Sequence, residues 1–487
     1  MTSEEFKIID QKVGLVGATA LTVGNAIAIT MFLLPAHLLA DGAGPSIALA
    51  AALTAVPTVF SILLMLQLGG AMPAAGGGYV YASRLIGPFW GFVLPWISIP
   101  AVWLGLVYTG YGFAEYVRFF LPLSVPLGPL EVLLGVATVT VPAASIELWI
   151  WVAVVPFLLL NLLGIRPVTQ IQLLLVAIII LGMLLFVLPG AVVVDTSNYT
   201  PMFPEGYGPF VVAMVSLFIG MYGFGLALNI GEEIEDPIRN IPRVIALSTV
   251  VGVTLMVGTV VVAVGALHWT AWAGVEAGIS YVALEFLPWW AAGVVAFAAI
   301  VGALTTINTI YVSFSRLVMR AARDEILPAS LAEVHDGLDS PNRAVLLIGV
   351  PPIFLVPLAG PDALLNPVVM SIVLSLALLL SIVFLAIAAF RLPKVFPQRY
   401  EHSFYRLPRP VLYASVAGGV IVPTIFWALL MTQHFLVGAA LLAWIAVGYP
   451  VYRYRIYRYD KRGVDLRARM KYLHEHEREA AAAEGGD

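Results

Sequence analysis

Phe218-Ile219-Gly220-Met221-Tyr222-Gly223-Phe224-Gly225 stands near the middle of an apolar run that covers 209 to 233. A helix in lipid satisfies its own backbone, so a break at that depth survives only where it lines a protein-enclosed or wet cavity. The first apolar run, 13 to 40, carries Gly24-Asn25-Ala26-Ile27-Ala28-Ile29-Thr30 near its middle, with Pro35 and His37 toward its far end. Interruptions at corresponding places in the first helix of each five-helix half are the sequence sign of an inverted-repeat transporter, whose half-helix ends aim partial charges at a bound solute. Glycine for close helix packing is the other reading of each stretch taken alone.

Around these two stretches the chain of 487 residues is 61% hydrophobic with a further 43 Gly, and only 11% is charged. That leaves too little polar surface to cover soluble domains. A bilayer core about 30 Å thick takes roughly 20 apolar residues per helix, and such runs recur along the whole sequence. With 25 basic against 29 acidic residues the net charge is −4, which disfavours nucleic acid as a partner. The chain has no Cys, which removes disulfides, Fe–S clusters and Cys-ligated zinc.

Hydropathy predicts twelve spans, near 13 to 40, 45 to 68, 88 to 117, 148 to 164, 168 to 190, 209 to 233, 242 to 267, 284 to 315, 343 to 359, 365 to 390, 410 to 431 and 434 to 452. Met1 to Lys12 is a polar leader before a long, Gly-interrupted run, so a retained N-terminus is expected. Alternating the loops puts Lys7, Lys12, Arg84, Arg166, Arg239, Arg243, the Arg316 to Arg343 and Arg391 to Arg409 groups and the basic tail on one side, and Arg118 alone on the other. Positive segments resist translocation, so both termini are expected in the cytoplasm of a multi-pass cell-membrane protein. The tail, 453 to 487, reads as a solvated or membrane-surface helix followed by disorder, with a regulatory docking element as the other reading.

Gly231-Glu232-Glu233-Ile234-Glu235-Asp236-Pro237-Ile238-Arg239-Asn240-Ile241-Pro242-Arg243, directly behind the sixth run, resembles the stretch found there in the amino acid/polyamine/organocation (APC) permease superfamily. Pro73 to Tyr79 and Gly87 to Phe92 before span three, Asn161 to Gly164 after span four and Arg323 to Pro328 after span eight are similar as well, and the likeness covers most of 13 to 455. The resemblance implies an all-α membrane protein of the LeuT type: a first repeat over 13 to 190, an outer loop over 191 to 208, an inverted second repeat over 209 to 391, two extra helices with their inner loop over 392 to 452, and discontinuous first and sixth helices. Family members usually show a Gly-Ser-Gly-like run in the broken first span, whose amides hold a substrate carboxylate. Ala28-Ile29-Thr30 stands there in this chain, so the break is displaced toward Gly24-Asn25, the carboxylate is held differently, or the solute is not a standard α-amino acid.

Gly24, Asn25, Ala26, Ala28, Ile29 and Thr30 of span one, Trp103 of span three, and Phe218, Ile219, Gly220, Tyr222 and Gly223 of span six are therefore the candidate solute residues. Aromatics at helical spacing also serve packing and interface belts. All five Lys lie in loops or termini, and Gly225 occupies the place in the sixth-span break where an acid would meet a cationic solute, so a neutral zwitterion such as an amino acid is expected. The family couples transport through a Lys on span five or a sodium site between spans one and eight. Span five has no ionisable residue, whereas Ala20 and Val23 carbonyls with the Thr305 and Thr306 hydroxyls suit sodium. Membrane Thr residues also bond to neighbouring carbonyls, and proton coupling and solute exchange stay open. Glu232 and Glu233 with Arg239 and Arg243 read as an inner gate or as a surface cluster ending a helix. His37 and His434 read as interface residues or a proton relay.

No cofactor or metal is expected beyond a sodium or proton coupling ion, and the expected partners are a small solute and the bilayer, with the oligomeric state open. The sequence lacks a nucleotide-binding Gly-x-x-x-x-Gly-Lys-Ser/Thr loop, a His-Glu-x-x-His pair, a Gly-x-Ser-x-Gly elbow and a membrane-embedded Lys for retinal, which argues against an enzyme or a pigment. A channel would show rings of polar residues. A solute sensor built on a permease scaffold is the strongest alternative without transport.

Overall fold

The computed structural model describes residue 9 and residues 11–27, 30–120, 130–134, 137–141, 146–272, 278–360 and 363–471. Ala28 and Ile29 lie outside the described residues, as do the side chains of Thr30 and Tyr222. The helices are α1 (Leu15–Ala26), α2 (Thr30–Leu38), α3 (Ser46–Ala71), α4 (Gly77–Tyr81), α5 (Pro88–Phe120), α6 (Ile146–Asn161), α7 (Ile165–Gly190), α8 (Tyr207–Gly220), α9 (Leu226–Asn229), α10 (Pro237–Ala266), α11 (Gly278–Phe286), α12 (Trp289–Arg323), α13 (Asn342–Leu355), α14 (Pro367–Val395), α15 (Pro397–Glu401), α16 (Arg409–Gln433), α17 (Phe435–Asp460) and α18 (Leu466–Arg469).

Among the described residues nine helices are long and apolar enough to cross a membrane, with Tyr207–Asn229 taken as one interrupted run. Three shorter apolar helices, Leu15–Ala26, Ile146–Asn161 and Asn342–Leu358, stand at the other expected spans. In the loop between α5 and α6 an antiparallel hairpin, β1 (Leu130–Leu134) and β2 (Ala137–Val141), pairs Leu130 with Val141 and Leu134 with Ala137. It is a small addition to an otherwise helical fold.

Two helices outrun the spans predicted from hydropathy. α12 continues two turns past 315 because Arg316, Arg320 and Arg323 meet acids across the helix face rather than water. α17 continues to Asp460, and beyond it Leu466 and Met470 are fully buried. The segment after α17 is thus anchored through Leu466 and Met470, while Lys461, Arg462 and Gly463 stay exposed.

Small residues set the helix spacing. Gly182 of α7 faces Ala298 of α12 so closely that an added Cβ would come within 2.3 Å of the alanine methyl. Without a hydrophobic drive between helices in lipid, such close backbone approach and interhelical hydrogen bonds supply the association. At the far side of the bundle Trp96 of α5 and Trp444 of α17 stack at 4.6 Å, and each indole N–H donates to the other residue's carbonyl at 2.8 and 2.9 Å. This reciprocal pair fixes α17 to α5.

Candidate functional site

The two interrupted helices meet at their interruptions. α1 runs through Gly24 and Asn25 to Ala26, and Ile27 leaves the helix at φ −87°, ψ 61° while its N–H still reaches the Val23 carbonyl. The break is therefore not displaced to Gly24-Asn25. α8 ends at Gly220, a tighter 3₁₀ turn covers Met221–Gly225, and α9 resumes at Leu226. The sixth run changes helix type at its glycines instead of unwinding. A Cβ on Gly223 would lie 2.4 Å from the Asn25 carbonyl oxygen, so only glycine allows the two backbones to touch there.

Asn25 binds this crossing together. Its Nδ2 donates to the Gly223 carbonyl at 2.7 Å, and its Oδ1 accepts from the Thr309 hydroxyl of α12 at 2.8 Å. One carboxamide thus links both interrupted helices to a third. Beside it lies a cavity of about 480 Å³, walled by α1, α2, α5, α8, α12 and α14. Asn25, Ile219, Gly220 and Gly223 reach its wall, and Thr306 faces it from α12. Among the described residues that line it, Asp41 is the one acid and there is no Lys or Arg. His37, Asp41, Gln433 and His434 also line it, so both histidines belong to the cavity wall.

Other expected solute residues turn away. Trp103 donates its indole N–H to the Leu347 carbonyl at 2.9 Å, toward α13. Phe218 packs edge-on against Phe426 of α16 at 5.4 Å. Ala26 lies under Gly223, and Gly24 faces α7, where an added Cβ would meet Gln172 Nε2 at 2.0 Å.

Behind α1 the polar groups form a chain. Asn161 Nδ2 donates to Asn308 Oδ1 and Asn308 Nδ2 to Gln172 Oε1, both at 2.8 Å, linking α6, α12 and α7. The sodium candidates do not converge. Thr305 Oγ1 donates to the Gly302 carbonyl at 2.8 Å and lies 3.2 Å from the Gly24 carbonyl oxygen, whereas Thr306 looks into the cavity from the neighbouring face. Val23 has its carbonyl engaged by Ile27, and Ala20 lies inside α1. Gln172 and Asn308 were readable in the sequence, since a carboxamide inside an apolar span needs a partner.

Glu232 and Glu233 pair with α12 rather than with Arg239 and Arg243. Glu233 receives both Arg316 Nε at 2.7 Å and Nη2 at 3.0 Å, and both side chains are almost wholly buried. Glu232 bonds Arg323 at 2.7 Å, with Arg320 at 3.9 Å. Burial pushes the Glu232 carboxyl up, but Arg323 and Arg320 outweigh it and hold the group below the usual carboxylate range. Arg239 instead lies 4.0 Å from exposed Asp236, and Arg243 stacks over the Phe404 ring at 5.4 Å. The pairing went to α12 because its arginines project along one face, over the loop that follows α9.

The same end holds a second buried cluster. Arg84 is paired with Asp324, which also accepts from the Tyr79 hydroxyl at 2.7 Å. Burial opposes charge on Asp324, yet Arg84 and Arg320 keep its carboxyl below the ordinary range. α18 closes over this pair: Arg469 bonds Glu325 at 2.9 Å, and Arg455 of α17 donates to the Glu325 and Leu327 carbonyls at 2.9 and 2.6 Å.

The family profile described as "Amino acid permease" matches residues 13–450. Among relatives, a branched-chain amino acid permease of Bacillus subtilis is 26% identical, covering 70% of this chain and 74% of that protein. A methylthioribose transporter of the same organism is 24% identical over 89% of this chain and 91% of its own length. A branched-chain amino acid permease of Lactococcus lactis is 24% identical over 89% and 92%. A multi-pass apolar bundle, two interrupted helices crossing beside a cavity and a profile match that spans nearly the whole sequence agree: the chain is a permease rather than an enzyme and belongs to the amino acid permease family of the APC superfamily.

Proposed function

We propose that this permease is a secondary transporter that carries a small net-neutral zwitterion, an amino acid in the first instance, across the cell membrane by alternating access. The supporting observation is the crossing of α1 and the α8–α9 run at Asn25 and Gly223, beside a cavity with no Lys or Arg in its described wall. Peptide groups at helix interruptions offer partial charges of both signs to a carboxylate and an ammonium, and a net-charged solute would call for a buried counter-charge. The relatives that carry branched-chain amino acids agree with this solute class. Glu232, Glu233 and the arginines of α12 form the inner gate, and the end that bears them faces the cytoplasm, in keeping with its Arg excess. Sodium coupling is assigned to the α1–α12 joint, where the Thr305 hydroxyl reaches the Gly24 carbonyl at 3.2 Å, rather than to the Ala20, Val23 and Thr306 set, which does not converge.

The test is uptake of labelled leucine, valine, threonine and alanine into proteoliposomes under sodium and under potassium. Saturable uptake of at least one of them is expected, with sodium dependence that Thr305→Ala removes. A folded preparation that moves none of the four overturns the solute class. Uptake indifferent to sodium in the unaltered chain overturns the coupling point alone.

A further inference from the structure

We infer that Ser98 of α5 and Ser216 of α8, with Ser375 and Ser381 of α14, form a hydroxyl-recognising subsite in the cavity, so that the solute carries a hydroxyl group. This rests on the transporter reading above and narrows its substrate. All four residues line the cavity. Ser98 is only 6% exposed, and neither its hydroxyl nor that of Ser216 makes a hydrogen bond to any described residue. Buried polar groups are ordinarily bonded, so a hydroxyl left without a protein partner on a cavity wall is aimed at what the cavity holds.

Ser98 and Ser216 face α14 between Ser375 and Ser381, which lie roughly 9 Å apart along that helix, so a bound group meets one of these two at a time. Gly105 of α5 faces Leu374 of α14, and Trp90 of α5 meets Phe384 at 5.4 Å, so the two helices run antiparallel and Ser98 falls opposite the stretch between Ser375 and Ser381. Val215 and Phe218, which flank Ser216, pack with Leu379 and Ile382 of that same stretch. The hydroxyls also differ in what they offer. Ser375 donates to the Ser371 carbonyl at 2.6 Å and Ser381 to the Ala377 carbonyl at 2.9 Å, so each turns lone pairs to the cavity. Ser98 and Ser216 commit their protons to no described residue. Ser98 or Ser216 as donor and the nearer of Ser375 and Ser381 as acceptor match a group that both donates and accepts. A solute hydroxyl does so, whereas an aliphatic branch would strip water from the serines it covers without replacing its bonds.

Threonine and valine, nearly equal in shape but differing in a hydroxyl for a methyl, give the test. Purified full-length protein is assayed by thermal shift and by competition for proteoliposome uptake with threonine, valine and D-ribose. Threonine is expected to outcompete valine by about tenfold or more, the discrimination available to a site that bonds a substrate hydroxyl. Ser98→Ala with Ser216→Ala should bring the ratio close to one without lowering the melting temperature of the solute-free protein, because these hydroxyls bond no described residue. Valine binding as well as threonine, or a ratio unmoved by the double substitution, overturns the subsite. Ribose binding that the double substitution abolishes, with neither amino acid bound, keeps the subsite and removes the zwitterion. If none of the three binds, the subsite falls, and the zwitterion reading falls with it only if leucine and alanine are not taken up either.

Discussion

Asn25 concentrates at one side chain what the cavity needs from three helices. Its carboxamide donates to Gly223 and accepts from Thr309, so any swing of the interrupted helices relative to α12 must break the Thr309 bond and keep the Gly223 bond, or the reverse. Asn25→Ala is expected to leave the protein folded, since each lost bond is worth about 1 kcal/mol net. It should lower uptake by about tenfold or more by loosening the geometry at the solute, an effect that small misplacements produce. Unchanged uptake kinetics would show that the amide has no part in transport. The sequence singled out Asn25, which reaches the cavity wall, because it sits inside a glycine-marked interruption. It misplaced Trp103 and Phe218 because an aromatic at helical spacing has the same pattern whether it faces a cavity, α13 or α16.

At the scale of elements, hydropathy marked the apolar helices, nine of them long enough to span among the described residues, since a run of apolar residues reports its own environment. Partners are another matter. Glu233 and Arg316 are 83 residues apart, and the chain holds 25 basic residues that the acids near α9 could meet. Proximity in sequence favoured Arg239 and Arg243, but the α12 arginines win because a single helix face carries three of them over the acidic loop. α14 also escaped notice as a cavity wall, since its serines bond back to their own helix and resemble ordinary apolar-span serines. For the buried Glu233–Arg316 pair, Glu233→Gln leaves a guanidinium without its counter-charge. It is expected to destabilise the bundle by about 3–5 kcal/mol, read as a large drop in melting temperature in detergent. Replacing both, as Glu233→Gln with Arg316→Met, should recover much of that loss. A single substitution with no thermal effect would mean the pair is solvated.

For the molecule as a whole, α18 joins distant segments at the charged end. Leu466 and Met470 are fully buried, and Arg469 contacts both Glu325 and Arg84. The amphipathic pattern beyond α17 announced a surface-seeking helix but could not name its receptor, which is assembled from the loop after α12 and the residues before α5. Because the chain contains no Cys, one introduced thiol reports on this closure. Ser83 is 1% exposed and, like Met470, packs beside Gly91. A Ser83→Cys thiol is expected to resist maleimide in the otherwise unaltered chain and to react about tenfold faster or more when Leu466→Asp is added, because a buried carboxylate undocks α18. Equal rates in the two backgrounds would mean that α18 does not cover this end.

The Arg84–Arg469 contact spans 385 positions of sequence. During synthesis Arg84 and Asp324 are therefore inserted, and their helices threaded into lipid, long before the residue that caps them has left the ribosome. The nascent permease passes through a stage in which this charged seam is uncapped, and seals it only once residue 470 emerges.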